Sequence, residues 1–149
     1  MPTHFDGSAR EKRSLDLFIK LIRAAASVET RTSGPLTAAG LTTSQFGALE
    51  TLYFLGPLPA GRLAEKHLKS PNNFTVVISN LEKRGLVRRE KAPHDRRVVM
   101  IELTDAGRAE VERTMPSYVQ TIVDNLEVLT AQEQEQLGKL LRKVGRAQT

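Results

Sequence analysis

Cysteine and tryptophan are absent from the 149 residues, and aromatics make up only 5% of them. Without cysteine there is no disulfide framework, no Cys-ligated zinc and no thiol-based sensing of peroxides or quinones, although non-covalent quinone binding stays open. Long apolar runs are missing too. No stretch approaches the roughly 18 residues of a membrane span, and the opening "MPTHFDGSAREKRSLD" has no signal-peptide core. A cytoplasmic protein without a membrane partner is the expectation. His4, His67 and His94 share no metal-ligand spacing, so no metal is expected.

Catalytic patterns are lacking as well. "GPLPAGRL" has the glycine spacing of a phosphate loop, but Arg62 stands where the lysine is needed and Leu63 where the magnesium-binding hydroxyl is needed. Pro57 and Pro59 remove two amide donors besides, so the segment reads as a turn. There is no G-x-S-x-G and no H-E-x-x-H, hence neither an enzyme nor a cofactor is expected.

What is present is an uneven charge. The chain carries +5 overall, with 40% hydrophobic and 26% charged residues, ordinary for one globular domain. From Ala60 to Arg97 ten Lys/Arg face four acids, a surplus of six that leaves the rest of the chain at −1. A basic middle between near-neutral ends suits a nucleic-acid reader, and a solvated charged face gives the same count.

The pattern along the chain is mostly helical. Residues 10–31 carry apolar side chains around more than half the wheel, too many for one neighbour to bury, until "TSGPLTAAG" breaks the helix with Gly and Pro. Thr42 and Gln45 have capping-box spacing ahead of a helix that Gly56 ends, and a short helix of about eight residues follows from Ala60. Ser70 as cap and Pro71 at the first position open the next helix, "PNNFTVVISNLEKR", which stops at Gly85. Leu86–Lys91 and Val98–Leu103 are strand-like runs joined by a loop holding Asp95, Arg96 and Arg97. Thr104 caps a long helix in which Pro116 predicts a kink, and Thr130 with Glu133 caps a last amphipathic helix.

Within the helix after Ser70, Phe74, Val77, Ile78 and Leu81 keep core spacing, while Asn72, Asn73, Thr75, Val76, Ser79 and Asn80 take the other side. None of the latter is acidic. Asn can bond adenine bidentately and Thr or Val can meet a thymine methyl, so this face is able to read A·T-rich major groove. The helix N-terminus favours a phosphate near Ser70, although "SPNN" would cap a helix with or without DNA.

The segments "LTTSQFGALETL", "LAEKHLKSPNNFTVVISNLEKRGLVRRE" and "DRRVVMIELTDAGR" together resemble the MarR family of winged helix-turn-helix transcription regulators, over nearly the whole chain. The most specific piece is Asp95 and Arg97 of the wing, followed by Leu103, Thr104, Gly107 and Arg108. The resemblance implies a mainly α fold with a small β-hairpin wing, in which residues 43–104 bind DNA and helices at 10–31 and 105–146 form a dimerisation lobe of a single 1–149 domain.

It also implies roles. Arg97 reaches the minor groove and Asp95 holds the wing, while Arg96 meets phosphate or solvent; Lys69, Lys91 and Ser70 add phosphate contacts beside the recognition helix. Val76 departs from the basic or polar residue many family members carry, which shifts base reading toward Asn72, Asn73 and the wing. A two-fold dimer predicts a double-stranded inverted repeat with half-sites about 10 bp apart, centre to centre. Many relatives bind small aromatic or phenolic molecules between the dimer helices and the DNA-binding lobe. Arg23, Phe46, Tyr53 and Tyr118 are the candidates for such a site, each with an equally good structural role.

The resulting expectation is a homodimeric repressor relieved by a small ligand. An architectural or anti-silencing DNA-binding protein without effector is the alternative, separable by whether operator affinity exceeds random-DNA affinity by roughly 10³. A protein-interaction module with an incidental wing predicts no salt-dependent DNA binding at all.

Overall fold

The computed structural model describes residues 4–66 and 71–146. Ser33–Val119 forms one compact unit, and the chain through Thr32 together with that from Gln120 forms a second. In the latter lie α1 (Ala9–Thr32), the last turns of α6 (Asp105–Leu126) and α7 (Ala131–Arg146). Thr130 and Glu133 make the expected capping box, with the Glu133 amide donating to Thr130 Oγ1 at 3.2 Å.

The Ser33–Val119 unit holds α2 (Gly34–Ala38), α3 (Thr43–Leu55), β1 (Leu58–Pro59), α4 (Ala60–Lys66), α5 (Pro71–Lys83), β2 (Val87–Ala92) and β3 (Asp95–Leu103), with the first part of α6. Its core gathers Phe46, Leu49 and Leu52 of α3, Phe74, Ile78 and Leu81 of α5, Ile101 of β3 and Val111 of α6. The apolar spacing of α3 and α5 is thus what brings them together. Thr42 and Gln45 exchange both capping-box bonds, at 3.0 and 3.1 Å, a local device that contributes about 1 kcal/mol.

Two expectations are corrected. "TSGPLTAAG" does more than break α1: it contains α2, because Pro35 sits in the first turn, where its missing N–H has no partner to lose. "GPLPAGRL" is not a turn either. Leu58 and Pro59 pair with Ile101 and Met100 as the edge strand of an antiparallel sheet ordered β1-β3-β2, and Ala60 starts α4. An edge position is where a strand tolerates proline. Pro116 lies inside α6, which runs unbroken from Asp105 through Leu126.

Helix α5 ends in a Schellman motif: the Leu86 amide donates to the Leu81 carbonyl at 3.0 Å and the Gly85 amide to Glu82 at 2.9 Å, with Gly85 at φ 71°. Thr104 then stitches this end to the start of α6. Its hydroxyl donates to the Gly85 carbonyl at 2.6 Å and its amide to the Leu86 carbonyl at 3.2 Å. The Gly107 amide caps onto the same hydroxyl at 3.1 Å.

Candidate nucleic-acid interface

The outward face of α5 is polar apart from one residue. Asn73, Thr75 and Asn80 are exposed, and Val76 among them is 60% exposed, while Phe74 and Ile78 point into the core. Lys69 and Ser70, the expected cap and its neighbour, lie outside the described residues, as does His67, and of the Asn72 side chain nothing is described. Ser79 is half-buried, and its hydroxyl accepts a hydrogen bond from Arg89 Nη2 at 2.9 Å. Arg89 also reaches Glu82, at 3.5 Å, so this arginine of β2 clamps the wing onto α5. Ser79 is therefore a link between wing and helix as much as a member of the outward face.

The wing differs from the expected loop. Ala92 pairs with Asp95 across a two-residue turn, Pro93-His94, so Arg96 and Arg97 belong to strand β3. Yet Lys91 pairs with Val99, and the three residues between, Arg96, Arg97 and Val98, face no counterpart on β2. Proline cannot take the positive φ that the favoured two-residue hairpin turns require, so the turn's twist does not match the strands, and a bulge absorbs the mismatch. The bulge lifts both arginines out of the ladder.

Arg97 is 92% exposed along its side chain, and Asp95 pins its root. The Asp95 carboxylate accepts from the Arg97 amide at 3.0 Å and from Arg97 Nε at 3.2 Å. These bonds, the guanidinium first and the amide second, hold the Asp95 carboxyl below its ordinary range. Among the described residues Arg96 and Lys91, both exposed, enter no ion pair.

The six basic residues from Arg84 to Arg97, of the ten counted from Ala60, thus divide into two groups of three. Arg88 pairs with Glu102 across the hairpin, Arg89 is clamped to α5, and Arg84 turns away to the carbonyls of Ala39 and Gly40. Lys91, Arg96 and Arg97 remain displayed on the wing. The roles of Arg84 and Arg89 escape a charge count.

Of the four candidate effector residues, Phe46, Tyr53 and Tyr118 lie in the Ser33–Val119 unit and Arg23 in the other. Phe46 is 1% exposed and meets Tyr118 edge-on with ring centroids 5.1 Å apart, a core pairing. Tyr53 donates to Glu112 at 3.2 Å, and the Arg108 guanidinium lies 5.2 Å over its ring. Arg23 is exposed on α1. Among the described residues no cluster of His, Asp and Glu has the make-up to hold a metal ion, and no helix is long and apolar enough to cross a membrane.

Two successive helices, α4 and α5, a polar outward face on the second and an arginine-bearing hairpin define a winged helix-turn-helix DNA-binding protein. Comparison with known proteins agrees. The model of the MarR family matches residues 41–99. The HTH-type transcriptional regulator MhqR of Bacillus subtilis (strain 168) is 31% identical over 134 residues, 90% of this chain and 92% of that protein. A MarR family transcriptional regulator from Streptomyces coelicolor, solved in complex with DNA, superposes with a TM-score of 0.84 at 27% identity, covering 95% of this chain and 90% of its own. BpsR of Bordetella bronchiseptica, whose DNA binding is regulated by 6-hydroxynicotinic acid, superposes at 0.81 with 26% identity over 99% of both chains. The chain belongs to the MarR family and is a DNA-binding transcription regulator.

Proposed function

We propose that this regulator is a homodimeric repressor that holds an inverted-repeat operator and releases it when a small aromatic or phenolic molecule binds. In this reading residues 43–104 form the DNA-binding lobe, and helices at 10–31 and 105–146 make the dimer. Asn72, Asn73, Thr75, Val76 and Asn80 read major-groove edges, with Ser70, Lys69 and Lys91 on phosphate, and Ser79 contributes from its place beside Arg89. Arg97 enters the minor groove and Arg96 meets phosphate.

The bulge of β3 carries this reading. A hairpin needs no three-residue bulge with two arginines, and a narrow A·T-rich minor groove concentrates the negative potential that draws such a side chain in. Exposed apolar side chains on α1 and α7 support self-association. The regulation of BpsR by 6-hydroxynicotinic acid supports an effector of similar chemistry, with Tyr53, Tyr118 and Phe46 as its aromatic contacts and Arg23 as a partner for a carboxylate. Such a ligand must favour the DNA-incompetent arrangement to release the operator.

The test is selection of genomic fragments at about 150 mM salt, where exposed charges are screened beyond about 8 Å. A sharp inverted repeat whose retention falls on adding hydroxylated aromatic acids is the expected result. A broad A·T-rich yield without symmetry would replace this reading with an architectural DNA-binding protein.

A further inference from the structure

Arg84 belongs to the basic surplus and is exposed, yet its guanidinium is engaged by backbone carbonyls. Nη1 donates to the Gly40 carbonyl at 2.7 Å and Nη2 to the Ala39 carbonyl at 3.3 Å, forty-four and forty-five residues back in the chain. Those carbonyls sit at the end of α2. That end is itself a Schellman motif, in which the Leu41 amide donates to Leu36 at 2.8 Å and the Gly40 amide to Thr37 at 2.9 Å, with Gly40 at φ 71°. One planar fork thus ties the last residue before the α5 stop to the turn that enters α3.

The same end of α5 is held from another side. The carbonyls of Gly85 and Leu86 accept from Thr104, and a Cβ on Gly107 would stand 2.0 Å from the Leu86 oxygen. The C-terminal end of α5 is therefore held from two sides by these bonds, in addition to the core packing of Phe74 and Ile78 along the helix. The helix is 13 residues, about 20 Å long at 1.5 Å per residue. A tilt of about 5° shifts one end of such a helix relative to the other by on the order of 1.5 Å, more than the roughly 0.5 Å window of a hydrogen bond. Base-reading side chains on the helix, which need a donor and an acceptor in register, feel such a tilt strongly. Phosphate attraction, which falls off slowly with distance, feels it little.

We propose that Arg84 is a positioning residue for DNA recognition: it fixes the aim of α5 through the Ala39 and Gly40 carbonyls and contributes specificity rather than charge to the complex. The proposal rests on the reading of α5 as the recognition helix. Two substitutions separate it from a phosphate contact. Arg84→Lys keeps the charge but replaces the planar two-donor fork by a single ammonium that cannot hold both carbonyls in the same geometry. Arg84→Gln removes the charge.

The experiment measures affinity of parent and variants for the selected operator and for random DNA across a salt series. Both variants are expected to lose about tenfold on the operator, to bind random DNA within about twofold of the parent, and to keep the parent's salt slope. Thermal unfolding supplies the control for folding, since a merely destabilised protein loses both affinities in the same proportion. A phosphate contact predicts the opposite: Arg84→Lys retained, Arg84→Gln weakened on both DNAs, with the slope reduced by about one. That pattern, or unchanged operator affinity in both variants, overturns the proposal. A parent that does not distinguish operator from random DNA overturns the recognition-helix reading and this inference with it.

Discussion

The Asp95 carboxylate holds Arg97 in two places, at the backbone amide (3.0 Å) and at the guanidinium (Nε at 3.2 Å, Nη2 at 3.5 Å), two residues along the same strand. The first bond fixes the peptide inside the bulge, and the second aims a side chain that is otherwise in solvent. An arginine so placed has little conformational freedom left to lose when it enters a groove. Arg97→Ala removes that cation, and operator affinity is expected to fall about tenfold or more while the slope of log affinity against log salt drops by about one. Titration of the variant over a salt series measures both. Unchanged affinity and slope would remove Arg97 from the interface.

Asp95 acts in two opposing ways. Its negative charge repels phosphate, while its bonds order the wing. Asp95→Asn keeps an oxygen for the Arg97 amide and loses the ion pair, so affinity for random DNA is expected to rise slightly while the operator-to-random ratio falls several-fold. The pH dependence follows from the lowered pKa. With the folded value below the unfolded one, near 3.9, the contribution is complete above the unfolded value and disappears as pH falls through the folded one. Wing order, followed by the Arg97 amide resonance, is therefore expected to stay constant from about pH 5 to 8 and to fade below about pH 4. A transition near neutrality would assign the wing's order to another group.

Local devices were legible in the sequence, and distant pairings were not. Thr42 with Gln45 and Thr130 with Glu133 satisfy backbone donors three residues away, so spacing alone locates those helix starts. The core stripe of α5 follows from its period. By contrast, the two-residue β1 exists only because Leu58 and Pro59 find Ile101 and Met100. α2 was hidden by reading Gly and Pro as breakers when Pro35 stands in a first turn. The bulge depends on the register that β3 adopts against β2, and the destinations of Arg84 and Arg89 depend on tertiary packing. The charge count was right in sum and silent on which arginines are displayed.

Gly107 is a stringent position for stability. A methyl group there would lie 2.0 Å from the Leu86 carbonyl oxygen and 3.0 Å from Leu103 Cδ2, against backbone that Thr104 already pins. The chain has to move, and overpacking of this kind costs about 1–3 kcal/mol. Gly107→Ala is expected to lower the unfolding midpoint by about 2–12 °C, given about 2–4 °C per kcal/mol at this chain length. Calorimetry or circular dichroism reads the shift. A midpoint within a degree of the parent would mean that α6 can slide away from Leu86 without loss.

The proposed dimer makes the last prediction. Leu137, Leu140, Leu141 and Val144 share one face of α7 by their spacing, yet all are exposed, Leu140 at 58%. On α1, Leu17 is 62% exposed, with Phe18 and Ile22 also open to solvent. Each such side chain stabilises a partnered state by about 1.5–3 kcal/mol when fully covered. Leu140→Glu puts a carboxylate on that face in each protomer, and under two-fold symmetry both copies enter the same interface. Because the position is already open in the protomer, the substitution leaves the fold of the single chain intact, which its circular dichroism spectrum checks. Sedimentation is expected to show the parent as a dimer at micromolar concentration and the variant as a monomer, with the dissociation constant raised at least about 100-fold, equivalent to about 2.7 kcal/mol. The variant should then bind an inverted repeat no better than a single half-site, because two recognition helices no longer arrive together. A parent that sediments as a monomer, or a variant that still dimerises, moves the interface away from α7.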